Sequence, residues 1–299
     1  MKTFLKTALV LSLVSAFAIS CSKDDSSDSS SSTTGLKLDI NGLENLGSDF
    51  VYEGWMMVDG SPVTTGRFTV NDMGVLSQST FDLNSTQLSS ATAFILTIEP
   101  ATGDDPAPSD VHILAGDFSG NSGTMKVDHT AALGNDFSSA MGKFILATPS
   151  TSDMTDENEG VWFLDNSSGS AMTGLNLPTL PSGWVYEGWA VIDGQAISTG
   201  RFTDAAMADM DGNPYKGADA NPPGFPGEDF IMGMSNGVDL SGNDHIAKVV
   251  VSIEPKVDNS PAPFTLKPLV SADLTAMSPT HMATTLNQNL GFPTGTFER

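Results

Sequence analysis

Residues 209–219 read Asp-Met-Asp-Gly-Asn-Pro-Tyr-Lys-Gly-Ala-Asp. Asp209, Asp211 and Asn213 alternate oxygen-bearing side chains, Gly212 allows a sharp turn, and Asp219 adds a fourth donor. Hard cations such as Ca2+ require that chemistry, although no Glu closes the twelve-residue loop of helix-loop-helix calcium sites. The stretch is therefore either a calcium loop or an unliganded acidic loop. A second grouping is Glu53 with Trp55, written again as Glu187 with Trp189. Period-2 geometry puts both on one strand face, where they line a groove or belong to the fold. Glu99 and Glu254, each within Ile-Glu-Pro, read as acids serving the backbone at a strand end.

Recognised reaction centres are missing from the sequence. It contains no His-Glu-x-x-His, no Gly-x-Ser-x-Gly and no glycine-rich phosphate loop. His112, His129, His245 and His281 are scattered, without partners at ligand spacing. Carboxylate pairs arise by chance among 36 acids, so a glycan hydrolase, which needs two carboxyl groups in a cleft, is the weakest reading. A non-enzymatic protein is expected.

The elements that must position these groups occur twice. Val51–Thr69 recurs as Val185–Thr203, with twelve of nineteen positions identical. Phe94–Pro108 recurs as Val249–Pro263 in the same order, so one structural unit is duplicated. Each first block reads as a hairpin. Phe50–Val58 is a strand, Asp59-Gly60 (Asp193-Gly194 in the copy) a turn, and Val63–Val70 the return strand. Glu53 and Arg67, repeated as Glu187 and Arg201, flank it as a cross-strand ion pair worth about 0.2–1 kcal/mol. Trp55 and Trp189 read as core aromatics rather than stacking platforms for sugars, and Tyr52 and Tyr186 as structural residues of the repeated motif. Further strands are expected at Ala93–Ile98, Val111–Leu114, Lys143–Thr148 and Gly160–Leu164, the last two forming a hairpin around an acidic loop.

Short β-branched and aromatic runs between turn residues predict an all-β protein of two tandem antiparallel sandwich-like modules. Module 1 is placed at 36–170 and module 2 at 171–299, with the boundary in the Ser-, Gly- and Pro-rich stretch 166–181. The second module carries an insertion at 205–230, read as a long loop without strand character. Loops of that length are functional or disordered.

The remaining segments are an address. Lys2 and Lys6 precede an apolar run, Ala8–Ile19, too short to span a bilayer. Residues 1–20 are therefore a signal peptide. Ala18-Ile19-Ser20-Cys21 resembles a bacterial lipoprotein box, which marks Cys21 for lipidation. The lipidated segment 21–35 has almost no apolar residue and is expected to be a disordered tether. Its Lys23-Asp24-Asp25 resembles a signal for the outer face of the outer membrane. Removing the leader leaves eleven Lys plus Arg against 36 acids, a net charge of −25. That balance excludes nucleic acid as a partner and adsorption to anionic headgroups, leaving membrane attachment to the lipid anchor.

Tyr-Glu-Gly-Trp, Asp-Gly and Thr-Gly-Arg-Phe, then an apolar strand ending Ile-Glu-Pro and a Pro-Ala-Pro loop, resemble the C-terminal extracytoplasmic domain of anti-sigma-K factors (RskA). The resemblance covers roughly 51–114 and 185–269. It implies an all-β envelope module of sensing or binding type. The sigma-binding domain and transmembrane helix of that family have no counterpart in the sequence. The expected function is thus a lipid-anchored envelope protein, surface-exposed, binding an unidentified protein or glycan. The alternative is a calcium-stiffened structural or adhesive surface protein.

Overall fold

The computed structural model describes residues 33–219, 222–241 and 246–299, all within one compact unit. The signal peptide, Cys21 and most of the tether lie outside the described residues, as does His245. Among the described residues no helix is long and apolar enough to cross a membrane.

The fold is all-β. Sheet 1 contains β1 (Thr33–Asn41), β2 (Phe50–Val58), β3 (Ser61–Phe68), β4 (Thr80–Asn84), β5 (Ala93–Pro100), β6 (His112–Asp117) and β7 (Ser122–Lys126). Sheet 2 contains β8 (Met141–Leu146), β9 (Gly160–Trp162), β12 (Leu175–Asn176), β13 (Trp184–Ile192), β14 (Gln195–Phe202), β15 (Gly227–Asp229), β18 (Lys248–Pro255), β19 (Leu269–Ser271) and β20 (Thr284–Gln288). Two small ladders accompany it, β10 (Leu164–Asp165) with β11 (Met172–Thr173), and β16 (Met234–Ser235) with β17 (Val238–Asp239). A single helical turn, α1 (Ser85–Ser90), is capped by the Asn84 side chain.

The repeated hairpins form as their sequences dictate. Asp59 and Gly60 take φ of 51° and 77°, and Asp193 and Gly194 take 50° and 77°. Positive φ at both central residues defines the two-residue turn whose twist matches its strands. A bulge follows Gly54 and, in the copy, Gly188. A side chain at either glycine would collide with an aromatic ring, Phe94 or Phe163, and with a threonine hydroxyl.

The strand order departs from the tandem plan at one point. Sheet 1 runs β3-β2-β5-β6-β7 and sheet 2 runs β14-β13-β18-β19-β20, repeat for repeat. The next strand in sheet 1 is β21 (Thr294–Glu298), from the C-terminal end of the second repeat, placed between β7 and β1. The next strand in sheet 2 is β8, from the first repeat, placed against β20. The two repeats have exchanged their last strands within one chain. The exchanged strands are alike, Gly142-Lys-Phe144 and Gly295-Thr-Phe297.

Three expectations need correction. The sheets do not divide at 170/171, because β8 and β9 pair with elements of the second repeat and β21 with elements of the first. Thr33–Gly35 are strand rather than tether, since they pair with Asp82–Asn84. The insertion is not strandless, because β15 pairs with β9 at the end of sheet 2.

Sheet 1 curls until β3 meets β4, where the Phe68 and Phe81 rings lie 6.1 Å apart. Both modules are therefore barrel-like. One continuous buried cluster runs through both sheets and includes Phe94, Phe297, Phe144, Phe163 and Trp184. Phe297 lies 5.4 Å from Phe94 and edge-on to Phe118 at 4.6 Å. Burial of such rings is the main stabilising term, at about 25 cal/mol per Å2 of apolar surface.

Candidate functional site

The repeated acids and tryptophans lie on the outer sheet faces, yet they are buried. Glu53, Trp55, Glu187 and Trp189 are all under 9 % exposed. Trp55 Nε1 donates to Thr97 Oγ1 at 2.9 Å, and Trp189 Nε1 to Ser252 Oγ at 2.7 Å. Those hydroxyls donate in turn to Glu99 and Glu254. Each glutamate also accepts a backbone N–H across its loop, from Ser109 or Phe264, at 2.8 Å. The tryptophan–hydroxyl–glutamate chain thus ties the bulged hairpin to the strand end and the Pro-Ala-Pro loop. Tyr52 and Tyr186 anchor the entering segments by donating to the carbonyls of Glu44 at 3.0 Å and Pro178 at 2.6 Å.

Burial drives the carboxyls of Glu99, Glu187 and Glu254 toward their neutral form. Glu254 is pushed up to about 8 by desolvation, against the opposing hydrogen bonds from Ser252 and Phe264. Its Oε2 is buried without a partner, which a neutral acid tolerates and a carboxylate does not. Glu187 is raised to about 7 for the same reason.

The arginines differ between repeats. Arg67 Nε lies 3.3 Å from Glu53, directly opposite it in the ladder, and its other end reaches Asp104 at 3.6 Å. Arg201 turns away to the insertion and grips Asp211 with two bonds, at 2.9 and 2.8 Å, while its backbone N–H donates to the same carboxylate. Three of the four candidate cation donors, Asp209, Asp211 and Asn213, therefore have separate side-chain partners. Asp209 packs against Gly200 and accepts from the Asp211 N–H. Asn213 donates to the Gly227 carbonyl at 2.8 Å, and the Asp219 N–H donates to the Ser150 carbonyl. Among the described residues no three His, Cys, Asp or Glu side chains are gathered as a metal would require.

Four buried acids have no place in the sequence reading, Asp156, Glu159, Glu228 and Asp229, and the last two lie in the insertion. Glu228 and Asp229 are 1 % exposed. Asp229 accepts from Trp162 Nε1 and from the Ser150 N–H, both at 2.9 Å. Desolvation raises Glu228 to about 8. Asp229 fastens the insertion to sheet 2, while Glu228 accepts from the Tyr215 N–H within the insertion. Their only signal is Gly227-Glu-Asp-Phe230, acids between a glycine and an aromatic.

An open site lies elsewhere, on the exchanged strands. A trough of about 730 Å3 crosses β8 and is lined by Met141, Lys143, Asn176, Thr285 and Asn287. Lys143 Nζ lies 2.6 Å from Asp165, and that bond holds the Asp165 carboxyl down at about 2. A trough of about 320 Å3 crosses β21 and is lined by Asn41, Thr124, Lys126, Thr294 and Thr296. The ladders make the two equivalent. Asn41 faces Thr294 as Asn176 faces Met141, and Thr124 faces Thr296 as Thr285 faces Lys143. Both volumes fall in the range of small-ligand sites, roughly 300–1,000 Å3. Hydroxyls, carboxamides and an internally neutralised ion pair suit a neutral polar ligand better than a charged one. Comparison with models of protein families, with curated proteins and with solved structures found no match.

Proposed function

We propose that the chain is a lipid-anchored, non-enzymatic cell-envelope protein whose two modules bind a neutral polar ligand, glycan in class, in the troughs across the exchanged strands. The observation that carries this reading is the recurrence of the trough at equivalent ladder positions in both sheets, with Asn and Thr at matching places. The acids that could have suggested catalysis are engaged in hydrogen bonds that hold loops to strands. The leader, Cys21 and the acidic tether support attachment to the outer membrane with the modules facing outward. The likeness to anti-sigma-K extracytoplasmic domains supports a sensing or binding role detached from any sigma factor.

Two measurements test it. Cys21→Ala should move the protein from the membrane fraction to the soluble fraction, and retention in the membrane would reject the anchor. Calorimetry with neutral envelope oligosaccharides should show binding that Asn176→Ala combined with Asn287→Ala weakens by tenfold or more, about 1.4 kcal/mol. Equal affinity in the double variant would reject the larger trough as the site.

A further inference from the structure

Methionine is distributed in this protein contrary to its usual habit. It ordinarily ranks with the residues most often buried. Here, among the described residues, thirteen large apolar side chains are exposed and ten of them are methionine. They are Met73, Met141, Met154, Met172, Met207, Met210, Met232, Met234, Met277 and Met282, with exposures from 47 % to 91 %. Val75, Val257 and Leu290 complete the thirteen. The buried core uses methionine only at Met56 and Met125, with Met57 half-buried. Exposed leucine, isoleucine and phenylalanine are thus nearly absent, while exposed thioethers are abundant.

Their placement adds a second regularity. All ten lie in loops, in a two-residue ladder or at a strand's first residue, so none is an interior rung of a long strand. All but Met73 belong to sheet 2 and its loops. Met154 and Met282 sit on loops that the His281–Glu157 pair joins at 2.9 Å. A thioether that gains an oxygen becomes a polar sulfoxide, which disrupts a core but costs little at a wet loop.

We infer that this surface is a methionine-oxidation site, a stoichiometric sink for peroxide or hypochlorous acid. With peroxide the sulfur lone pair attacks an oxygen and the O–O bond breaks. With hypochlorous acid it attacks chlorine, the O–Cl bond breaks, and water then displaces chloride from the sulfur. The sulfur is oxidised to sulfoxide, and water or chloride with a proton leaves. Each of the ten thioethers consumes one equivalent of oxidant, and the fold survives because Met56 and Met125 are screened. Reversal belongs to methionine sulfoxide reductases, which remove the oxygen from each epimer.

The test titrates the full chain with hydrogen peroxide and with hypochlorous acid, mapping each methionine by peptide mass spectrometry. The ten exposed sites should each gain one oxygen before Met56 or Met125 reacts, with near-ultraviolet circular dichroism and the melting temperature retained throughout. Incubation with the two reductases should restore the original masses. Simultaneous oxidation of Met56 and Met125, or loss of the tertiary signal before the ten are consumed, would overturn the inference. A variant with all ten replaced by leucine should consume oxidant roughly tenfold more slowly, since buried thioethers react only on opening. Should that variant fail to fold, replacement of Met207, Met210, Met232 and Met234 alone must still lower uptake by four equivalents, and undiminished uptake would equally refute it.

Discussion

The buried carboxyls make stability depend on pH in an unusual direction. Glu228 and Glu254 are raised to about 8, and Glu187 and Glu44 to about 7, in each case chiefly by desolvation. In the unfolded chain all four revert to ordinary glutamates near 4.5. Between those limits the folded state holds more protons than the unfolded state, so stability falls as pH rises. The contribution is complete below the unfolded value and is lost by the time pH passes 8. One pKa unit corresponds to about 1.4 kcal/mol; allowing for relaxation and partial solvation, each group contributes on the order of 1–2 kcal/mol. Four groups together give several kcal/mol between pH 5 and 8.5, a large fraction of the ~5–15 kcal/mol that keeps a domain folded. At 2–4 °C per kcal/mol the melting temperature should be roughly 10 °C higher at pH 5 than at pH 8.5. Differential scanning calorimetry in about 0.5 M salt checks this, because salt suppresses the general repulsion of a highly acidic protein. Glu228→Gln and Glu254→Gln imitate the neutral acid and should each flatten the slope. A melting temperature that rises with pH, or Gln variants that keep the full slope, would refute the reasoning.

Other outcomes follow from single contacts. Phe297→Ala removes a fully buried ring and should cost about 3–5 kcal/mol; hydrogen exchange should then rise in β1 and β7 of the first repeat, and a change confined to sheet 2 would contradict the exchange. Gly188→Ala drives a methyl group into Phe163 and the Thr199 hydroxyl, which urea denaturation should register as about 1–3 kcal/mol. Arg201→Ala releases a half-exposed ion pair and should cost under about 1 kcal/mol, but amides at 209–212 should exchange faster as the insertion loses its hold; unchanged exchange there would show that Asp211 is held by other contacts.

The local parts of the fold were legible because their causes are local. Alternating aromatic and β-branched residues with Asp-Gly between them specify the hairpins, and the cross-strand position of Glu53 opposite Arg67 follows from that turn. The strand exchange was not legible, since β21 pairs with β7 across most of the chain. Gly142-Lys-Phe144 and Gly295-Thr-Phe297 are too short a likeness to assign a partner. The insertion was misread for a similar reason. Glu228 and Asp229 carry loop chemistry in sequence, and only Trp162 and Ser150, 67 and 79 residues from Asp229, turn that segment into a strand. The donors at Asp209, Asp211 and Asn213 were visible as types, but their directions depend on Arg201 and Gly227. The troughs were invisible, because their walls come from strands of both repeats.

The exchanged strands also set an order of assembly. A ribosome releases β1 to β7 early, yet the gap between β7 and β1 has no occupant until Thr294–Glu298 emerge. The first sheet is therefore completed only by residues made about 170 positions after β7. Any fragment that stops short of Thr294 leaves β1 and β7 with open edges, so a truncation there would be felt roughly 170 to 260 residues earlier in the chain.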